Sequence, residues 1–480
     1  MRRFPLLFAL ILLPRLEAQP NILFLFADDQ RPDTIGAWGN RLIETPNIDK
    51  LVAGGFSFRN NYCLGSVGEA VCAPSRAMLH TGKAYFRVPL DMEGHSTLGE
   101  LLGKAGYTTF GTGKWHNGPM SWARSFQQGR GIFFGGMADH TNVPLAEVGP
   151  DGELYRSAPT RKFSTEIFAD SMIEFLENYE GDKPFYAYAA FTSPHDPRTP
   201  PTRYREKYYA KKLPLPANFM PQHPFDNGAM MVRDEQLGAW PRTEAEVRDH
   251  LAEYYGMMTH LDDQIGRILT ALQKTGKAEN TLIVYAGDHG LAIGSHGLLG
   301  KQNIYEHSMK TPLIVKGPGV PRGRTSDALT YLFDLFPTLL GLAKQNAPIG
   351  EIDGRDLAPV WQGKAPRVRE TLFLAYGDSM RSVRDERYKL IRYPRVDVNQ
   401  LFDLANDPDE LKNLAGAADQ ETRTARMMAL IDQWQTRLGD GTPLRVARPE
   451  PREIDMTGRA REPDPWQPMS VIEKYFKGWY

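Results

Sequence analysis

Residues 21–26 read Asn-Ile-Leu-Phe-Leu-Phe and run into Ala27-Asp28-Asp29-Gln30. Consecutive large apolar side chains cannot share one face of an extended strand, because successive side chains point to opposite faces. So short a run reads as a strand buried on both faces, the condition of a strand inside a parallel sheet covered by helices. Phe185–Phe191 and Thr281–Ala286 repeat the pattern, and Thr311–Val315 is a further strand. Between them, Ser164–Tyr179 carries Ile167, Phe168, Met172, Ile173, Phe175 and Leu176 at helical spacing, and Thr243–Lys274 carries a longer apolar face from Val247 to Leu272. The alternation predicts an α/β fold, one large and mostly parallel sheet sandwiched by helices. Ligands of such sheets bind beyond the carboxyl ends of the strands. Asp28-Asp29 and Asp288-His289 both fall there.

Local signals place the helix ends. Thr45 is the expected cap of a helix that has Pro46 in its first turn and stops at Gly54-Gly55. Thr97 with Glu100, and Thr243 with Glu246, have capping-box spacing. Tyr107–Phe110 is a short strand running into Gly111-Thr112-Gly113-Lys114-Trp115-His116. That stretch lacks the spacing of a nucleotide phosphate loop. Residues 117–163 show little periodicity and read as a long loop that walls a pocket. Residues 199–242 are Pro-rich and irregular, an ordered lid. Beyond about residue 365 the texture changes to short alternating strands near 381–384, 388–392 and 400–404, with a helix near 419–437. Residues 441–480 form a tail whose Trp466, Tyr475, Trp479 and Tyr480 pack it back on the body.

Arg2-Arg3, the apolar run Phe4–Pro14 and Ala18 have the pattern of a secretory leader. The expected division is therefore residues 1–18 as signal peptide, 19–365 as catalytic domain, 366–440 as C-terminal subdomain and 441–480 as tail. Export to the periplasm or the medium follows from the leader. The leader is short for a bilayer span, and no other stretch is long and apolar enough. The formal net charge of −1 excludes a general nucleic-acid or membrane-surface binder. The two cysteines, Cys63 and Cys72, offer a disulfide in an exported protein, or leave Cys63 as an odd buried thiol if Cys72 is modified.

Val71-Cys72-Ala73-Pro74-Ser75-Arg76, with Thr81-Gly82 after it, is the densest chemistry in the chain. A proline suited to a first helical turn, a thiol and an arginine one turn on make a cysteine beside an anion site. The same residues also fit a small buried cysteine at a helix start. Adjacent Asp28 and Asp29 repel unless a cation lies between them, and Ca²⁺ takes such oxygen ligands. An acidic pair is equally at home in a solvated turn.

Cys72-x-Pro-Ser-Arg, four residues, then Thr-Gly resembles the signature of the type I sulfatases of the alkaline-phosphatase superfamily, and the likeness extends over roughly residues 20–440. Within that family it resembles bacterial polysaccharide and iduronate-type sulfatases. In that family a maturation enzyme oxidises the cysteine to formylglycine (3-oxoalanine). The resemblance implies one Ca²⁺ held by Asp28, Asp29, residue 72, Asp288 and His289, with His289 standing where asparagine is commoner. It implies that Lys114, Lys301 and Arg76 hold the sulfate, that His116 contacts the formylglycine hydroxyl, and that His195 protonates the leaving group. Arg198 and His296 are the expected substrate contacts. The implied reaction is removal of sulfate from a sulfated saccharide: one hydroxyl of the hydrated aldehyde attacks, and the other expels sulfate. A phosphonate or phosphodiester hydrolase of the same superfamily and a silent sulfated-glycan binder are the alternatives. The partners expected are the saccharide and the maturation enzyme, with no nucleic acid and no membrane span.

Overall fold

The structure is a computed structural model that describes residues 19–158, 160–345 and 352–478. The expected leader, and Trp479 and Tyr480 of the tail, lie outside the described residues. Ten strands form the large sheet, in the order Arg324–Tyr331, Phe56–Tyr62, Lys310–Lys316, Thr281–Gly287, Asn21–Ala27, Phe185–Ala190, Thr108–Lys114, Gln128–Phe133, Ala146–Val148 and Leu154–Arg156. Asn21–Ala27 sits at the centre and pairs in parallel with both neighbours, Phe24 lying opposite Tyr188 on one side and Val284 on the other. Its alternate side chains feed two separate cores. Leu23, Leu25 and Ala27 pack under Glu244–Lys274 and Ser164–Asn178, and Ile22, Phe24 and Phe26 pack under Cys72–Thr81 and Leu335–Leu342. The run is apolar throughout because neither face meets water.

A second sheet of five strands takes its order as Val398–Asp403, Tyr388–Tyr393, Met380–Arg384, Leu372–Tyr376 and Gly65–Ser66. Its last strand comes from the segment just ahead of Cys72 and pairs in parallel with Ala375 and Tyr376. Gly65 has φ 130°, and a β-carbon there would meet the Ala375 carbonyl oxygen at 1.8 Å, so the pairing requires glycine. The small sheet is also pinned through Arg369, whose guanidinium grips both oxygens of buried Asp334 at 2.5 and 2.6 Å. Removing one member of a buried ion pair strands the other, so Arg369→Ala is expected to lose about 3–5 kcal/mol of unfolding free energy in urea titrations.

Several local expectations change. Thr45 does not cap its helix; its hydroxyl accepts from Gly36 N and bonds Asp49. The orphan amides of Asn47 and Ile48 are satisfied by the Asp262 carboxylate, 215 and 214 residues away, at 3.0 and 2.7 Å. Burial pushes Asp262 up to about 6, against these hydrogen bonds. A carboxyl raised above its unfolded value makes folding less favourable as pH climbs from about 4 to about 6. The expected outcome is a fall in Tm across that window that is smaller in Asp262→Asn than in the native chain. The box at Thr97 and Glu100 is complete, whereas Thr243 accepts from Glu246 N and the Glu246 carboxylate turns to Ala239 N instead. The strand begun at Thr108 continues to Lys114, because Gly113, at φ 88°, brings its backbone against the Ala190 carbonyl too closely for a side chain. Residues 117–163 hold a helix, Pro119–Ser125, and three edge strands of the large sheet. Residues 199–242 hold the helix Thr202–Tyr209 and the 3₁₀ turn Arg233–Leu237. Among the described residues no helix is long and apolar enough to cross a membrane.

Candidate active site

Three strand ends and one helix start meet at a point. Asn21–Ala27 delivers Asp28 and Asp29, Thr281–Gly287 delivers Asp288 and His289, and Thr108–Lys114 ends on Lys114 itself. Parallel neighbours end at the same edge, which is why residues 260 apart in sequence become adjacent. Asp288 Oδ1 accepts from the amides of Asp29 (3.0 Å) and His289 (2.9 Å), locking the two strand ends together. Cys72 opens the helix Cys72–Thr81 and is buried against them. Ser75 Oγ ties that helix to the Asp288 carbonyl at 2.9 Å.

The His289 ring is oriented by its own loop: Nδ1–H donates to the Gly290 carbonyl at 2.9 Å, which leaves the Nε2 lone pair facing inward, 3.2 Å from Cys72 Sγ. Lys301 Nζ lies 3.4 Å from Sγ, bonds both Asp29 oxygens at 2.9 and 3.0 Å, and donates to His195 Nε2 at 2.8 Å. His195 Nδ1–H in turn donates to the Asp196 carbonyl at 2.8 Å. Lys114 Nζ reaches Asp28 Oδ2 at 2.5 Å. Arg76, wholly buried, donates to the Lys114 carbonyl at 2.6 Å and lies 3.3 Å from Asp288 Oδ2 and 3.5 Å from Asp28 Oδ1. Three carboxylates therefore face three cations in a site closed to solvent.

Burial pushes the Cys72 thiol well up, and the neighbouring Asp28 charge adds to it. Burial raises Asp29 to about 6 against the pull of Lys301. Burial acts the same way on Asp288, yet His289 and Arg76 hold its carboxyl well below the usual range. His195 is held neutral by burial and by the charges of Lys301 and Lys114. The neutral imidazole accepts from the Lys301 ammonium.

Asp28, Cys72, Asp288 and His289 each turn one ligand atom into a cluster whose members lie within 4.8 Å of one another. Asp28 Oδ1 is buried there with no hydrogen-bond partner. An unpartnered buried carboxylate oxygen beside a second carboxylate and an imidazole lone pair is a donor set that fits a divalent cation.

Nine of the expected site residues, Asp28, Asp29, Cys72, Arg76, Lys114, His195, Asp288, His289 and Lys301, are linked by these contacts. His116, at φ 67°, lies over Gly136 with Nδ1 buried and unpartnered, and is held neutral by burial and by Lys114 and Arg76. The other two do not join the cluster. Arg198 bonds His250 Nδ1 at 3.1 Å and lines a separate cavity of about 390 Å³ with Tyr209, Lys474 and Tyr475. His296 bonds His307 and the Glu410 carbonyl and stacks on Tyr305 with ring centroids 3.9 Å apart, so it serves the joint with the small sheet. Sequence reasoning missed Asp234, 3.7 Å from Lys301 Nζ and bonded to Gln302, and Arg233, which grips Asp196. The one signal was the charged triplet Arg233-Asp234-Glu235 inside a Pro-rich stretch. It also missed Tyr254, whose hydroxyl donates to the Asp29 carbonyl at 2.6 Å.

The sulfatase family pattern matches residues 20–345 of this chain, and it spans every residue of the cluster. This chain belongs to the sulfatase family. It is accordingly a sulfuric ester hydrolase. A second pattern, the C-terminal part of N-sulphoglucosamine sulphohydrolase, matches residues 294–437 of the sulfatase, from just before Lys301 through the small sheet. The enzyme is 27% identical to an N-acetylglucosamine-6-O-sulfatase of Bacteroides thetaiotaomicron over 88% of each chain, and 28% identical to an arylsulfatase of Clostridium perfringens over 84% of this chain and 92% of that one. A solved structure in complex with D-glucosamine-2-N,6-O-disulfate superposes with a TM-score of 0.75 at 24% identity, covering 89% of this chain and 99% of the other. The expected α/β fold with its small C-terminal sheet is thus the fold of the family.

Proposed function

We propose that this sulfatase removes sulfate from a sulfated saccharide, with a formylglycine made from Cys72 by a maturation enzyme as nucleophile and one Ca²⁺ as cofactor. One observation carries the reading: the only thiol in the cluster shares its pocket with the divalent-cation donor set, all within 4.8 Å. The saccharide class rests on the names of relatives, and export on the leader-like residues 1–18. The bound cation would be held by Asp28, Asp29, Asp288 and His289 and would supply Lewis-acid polarisation of the sulfate oxygens. The hydrated aldehyde would supply a hydroxyl nucleophile and a second hydroxyl for sulfate release.

The remaining steps belong to the side chains. Arg76 directs its donors at Asp28, Asp288 and the Lys114 carbonyl, so it aligns the carboxylates. Lys114 and Lys301 place positive charge where the transferring group gains negative charge. Lys301 and His195 together deliver a proton to the departing sugar oxygen. His116, neutral and with a free ring nitrogen, takes the proton of the residue 72 hydroxyl when sulfate leaves.

Three measurements test this. The mass of the tryptic peptide 60–76 from protein made in its native host is expected to report an aldehyde at residue 72; a thiol there overturns the mechanism. Dialysis against EDTA is expected to lower sulfate release at least about 10-fold and to lower Tm, with Ca²⁺ restoring both. Faster turnover of 4-nitrophenyl phenylphosphonate than of 4-nitrophenyl sulfate would reverse the assignment of substrate class.

A further inference from the structure

The tail and the Pro-rich excursion, two segments without periodicity, are each other's partners. Gln222 Nε2 donates to the Ile454 carbonyl at 2.7 Å and its Oε1 accepts from Met456 N at 3.1 Å. Arg461 NH1 reaches the Gln236 carbonyl at 3.2 Å. Tyr475 stacks on His250 of the long helix with centroids 4.1 Å apart, and Lys474 bonds Glu253 at 2.9 Å. This docking brings two tail side chains to the loop that follows Phe185–Ala190. Asp464 Oδ2 accepts from Arg233 Nε and NH2 at 2.8 and 2.6 Å, while Arg233 NH1 donates to Asp196 Oδ1 at 2.8 Å. Gln467 Nε2 donates to Asp196 Oδ2 at 3.0 Å. Gln467 and Asp196 are both buried. Asp196 is the residue whose carbonyl accepts from His195 Nδ1 and whose carboxylate lies 3.3 Å from the same nitrogen.

We propose that the C-terminal segment 452–475 orients the proton donor from outside the catalytic cluster: Asp464 and Gln467 are positioning residues that fix Arg233 and Asp196, and through them aim the His195 ring and the Lys301 ammonium bonded to it. The proposal rests on the reading of Lys301 and His195 as the proton source for the leaving group. Arg233 is clamped from both sides by carboxylates, so its fork is preorganised. Asp196 has both oxygens bonded by Arg233, and Oδ2 accepts from Gln467 as well, which leaves the peptide carrying the His195 acceptor little freedom to swing. A ring held only through its own loop would tolerate loss of the tail; a ring held through this chain of contacts does not, because misplacement of a proton donor by a fraction of an ångström is felt in the rate.

Leaving-group chemistry separates positioning from mere stability. 4-Nitrophenolate departs without a proton, and phenolate gains from one. In the double variant Asp464→Asn/Gln467→Ala of the full chain, kcat for phenyl sulfate is expected to fall about 10-fold or more while kcat for 4-nitrophenyl sulfate stays within about 2-fold, with KM unchanged for both. Asp464→Glu, which keeps the carboxylate, is expected to retain the native ratio. An unchanged ratio in the double variant overturns the proposal and leaves the tail a structural strap. A native enzyme that hydrolyses neither ester speaks against the hydrolytic roles alone. The ¹⁵N-histidine spectrum then decides: the His195 ring signals, identified by their loss in His195→Gln, shift in the double variant if the tail aims the ring, and coincide with those of the native chain if it does not.

Discussion

Cys72→Ala is expected to fold with the stability of the native chain and to release sulfate at least about 10⁴-fold more slowly, the scale seen when a covalent nucleophile is deleted. The fold survives because Sγ is not a packing keystone. It touches Asp29, Lys301 and His289, and Lys301 keeps its bonds to Asp29 and His289 its bond to Gly290. The matching control is Cys63→Ala. Cys63 is buried, its thiol is pushed up to about 12 by that burial, and its sulfur bonds the Gly65 carbonyl of its own loop and the Ser75 side chain. Such a thiol is inert, and activity is expected to stay within about 2-fold of native. Sulfate release by ion chromatography on both variants checks the pair. Equal loss in both would move the chemistry away from residue 72.

Asp28→Ala is expected to damage the protein in a different way, by unfolding it more easily and disarming it at once. Asp28 is the acid partner of Lys114 at 2.5 Å and of Arg76 at 3.5 Å, and all three side chains are fully buried. Deleting it takes from Lys114 its acid partner and leaves Arg76 with Asp288. An uncompensated buried charge costs about 3–5 kcal/mol. That loss is expected in urea unfolding, together with loss of any stabilisation of the protein by added Ca²⁺. Native-like stability in Asp28→Ala would mean that the carboxylates are neutralised by something other than these cations.

The parts of this site that were legible in the sequence share a physical reason. A strand buried on both faces announces itself as an apolar run, and the first polar residues after it must lie at the sheet edge. Asp28, Asp29, Asp288 and His289 were readable for that reason, and Cys72 and Arg76 because the spacing of their motif is long. What stayed hidden was set by contacts with no period. The true cap of the helix at Pro46 is Asp262, which no local spacing reveals. Lys114 was expected beyond a short strand, yet the strand runs on to it because Gly113 lets the backbone pass against the Ala190 carbonyl, where a β-carbon would not fit. Arg198 and His296 stand in motif-like loops, but their rings and guanidinium are turned to His250 and to Tyr305. The tail and the Pro-rich excursion each looked unstructured because each supplies the other's hydrogen bonds.

The strand Gly65–Ser66 has a consequence for the order of events during synthesis. Its hydrogen-bond partners, Ala375 and Tyr376, leave the ribosome some three hundred residues after it does. Until then the chain immediately ahead of Cys72 has no edge to join, and the helix that begins at Cys72 lacks that anchor. If residue 72 is matured as proposed, the oxidising enzyme would meet this segment before its partner strand has been made. A chain truncated before the small sheet would carry every residue of the cluster and lack the partner of Gly65–Ser66.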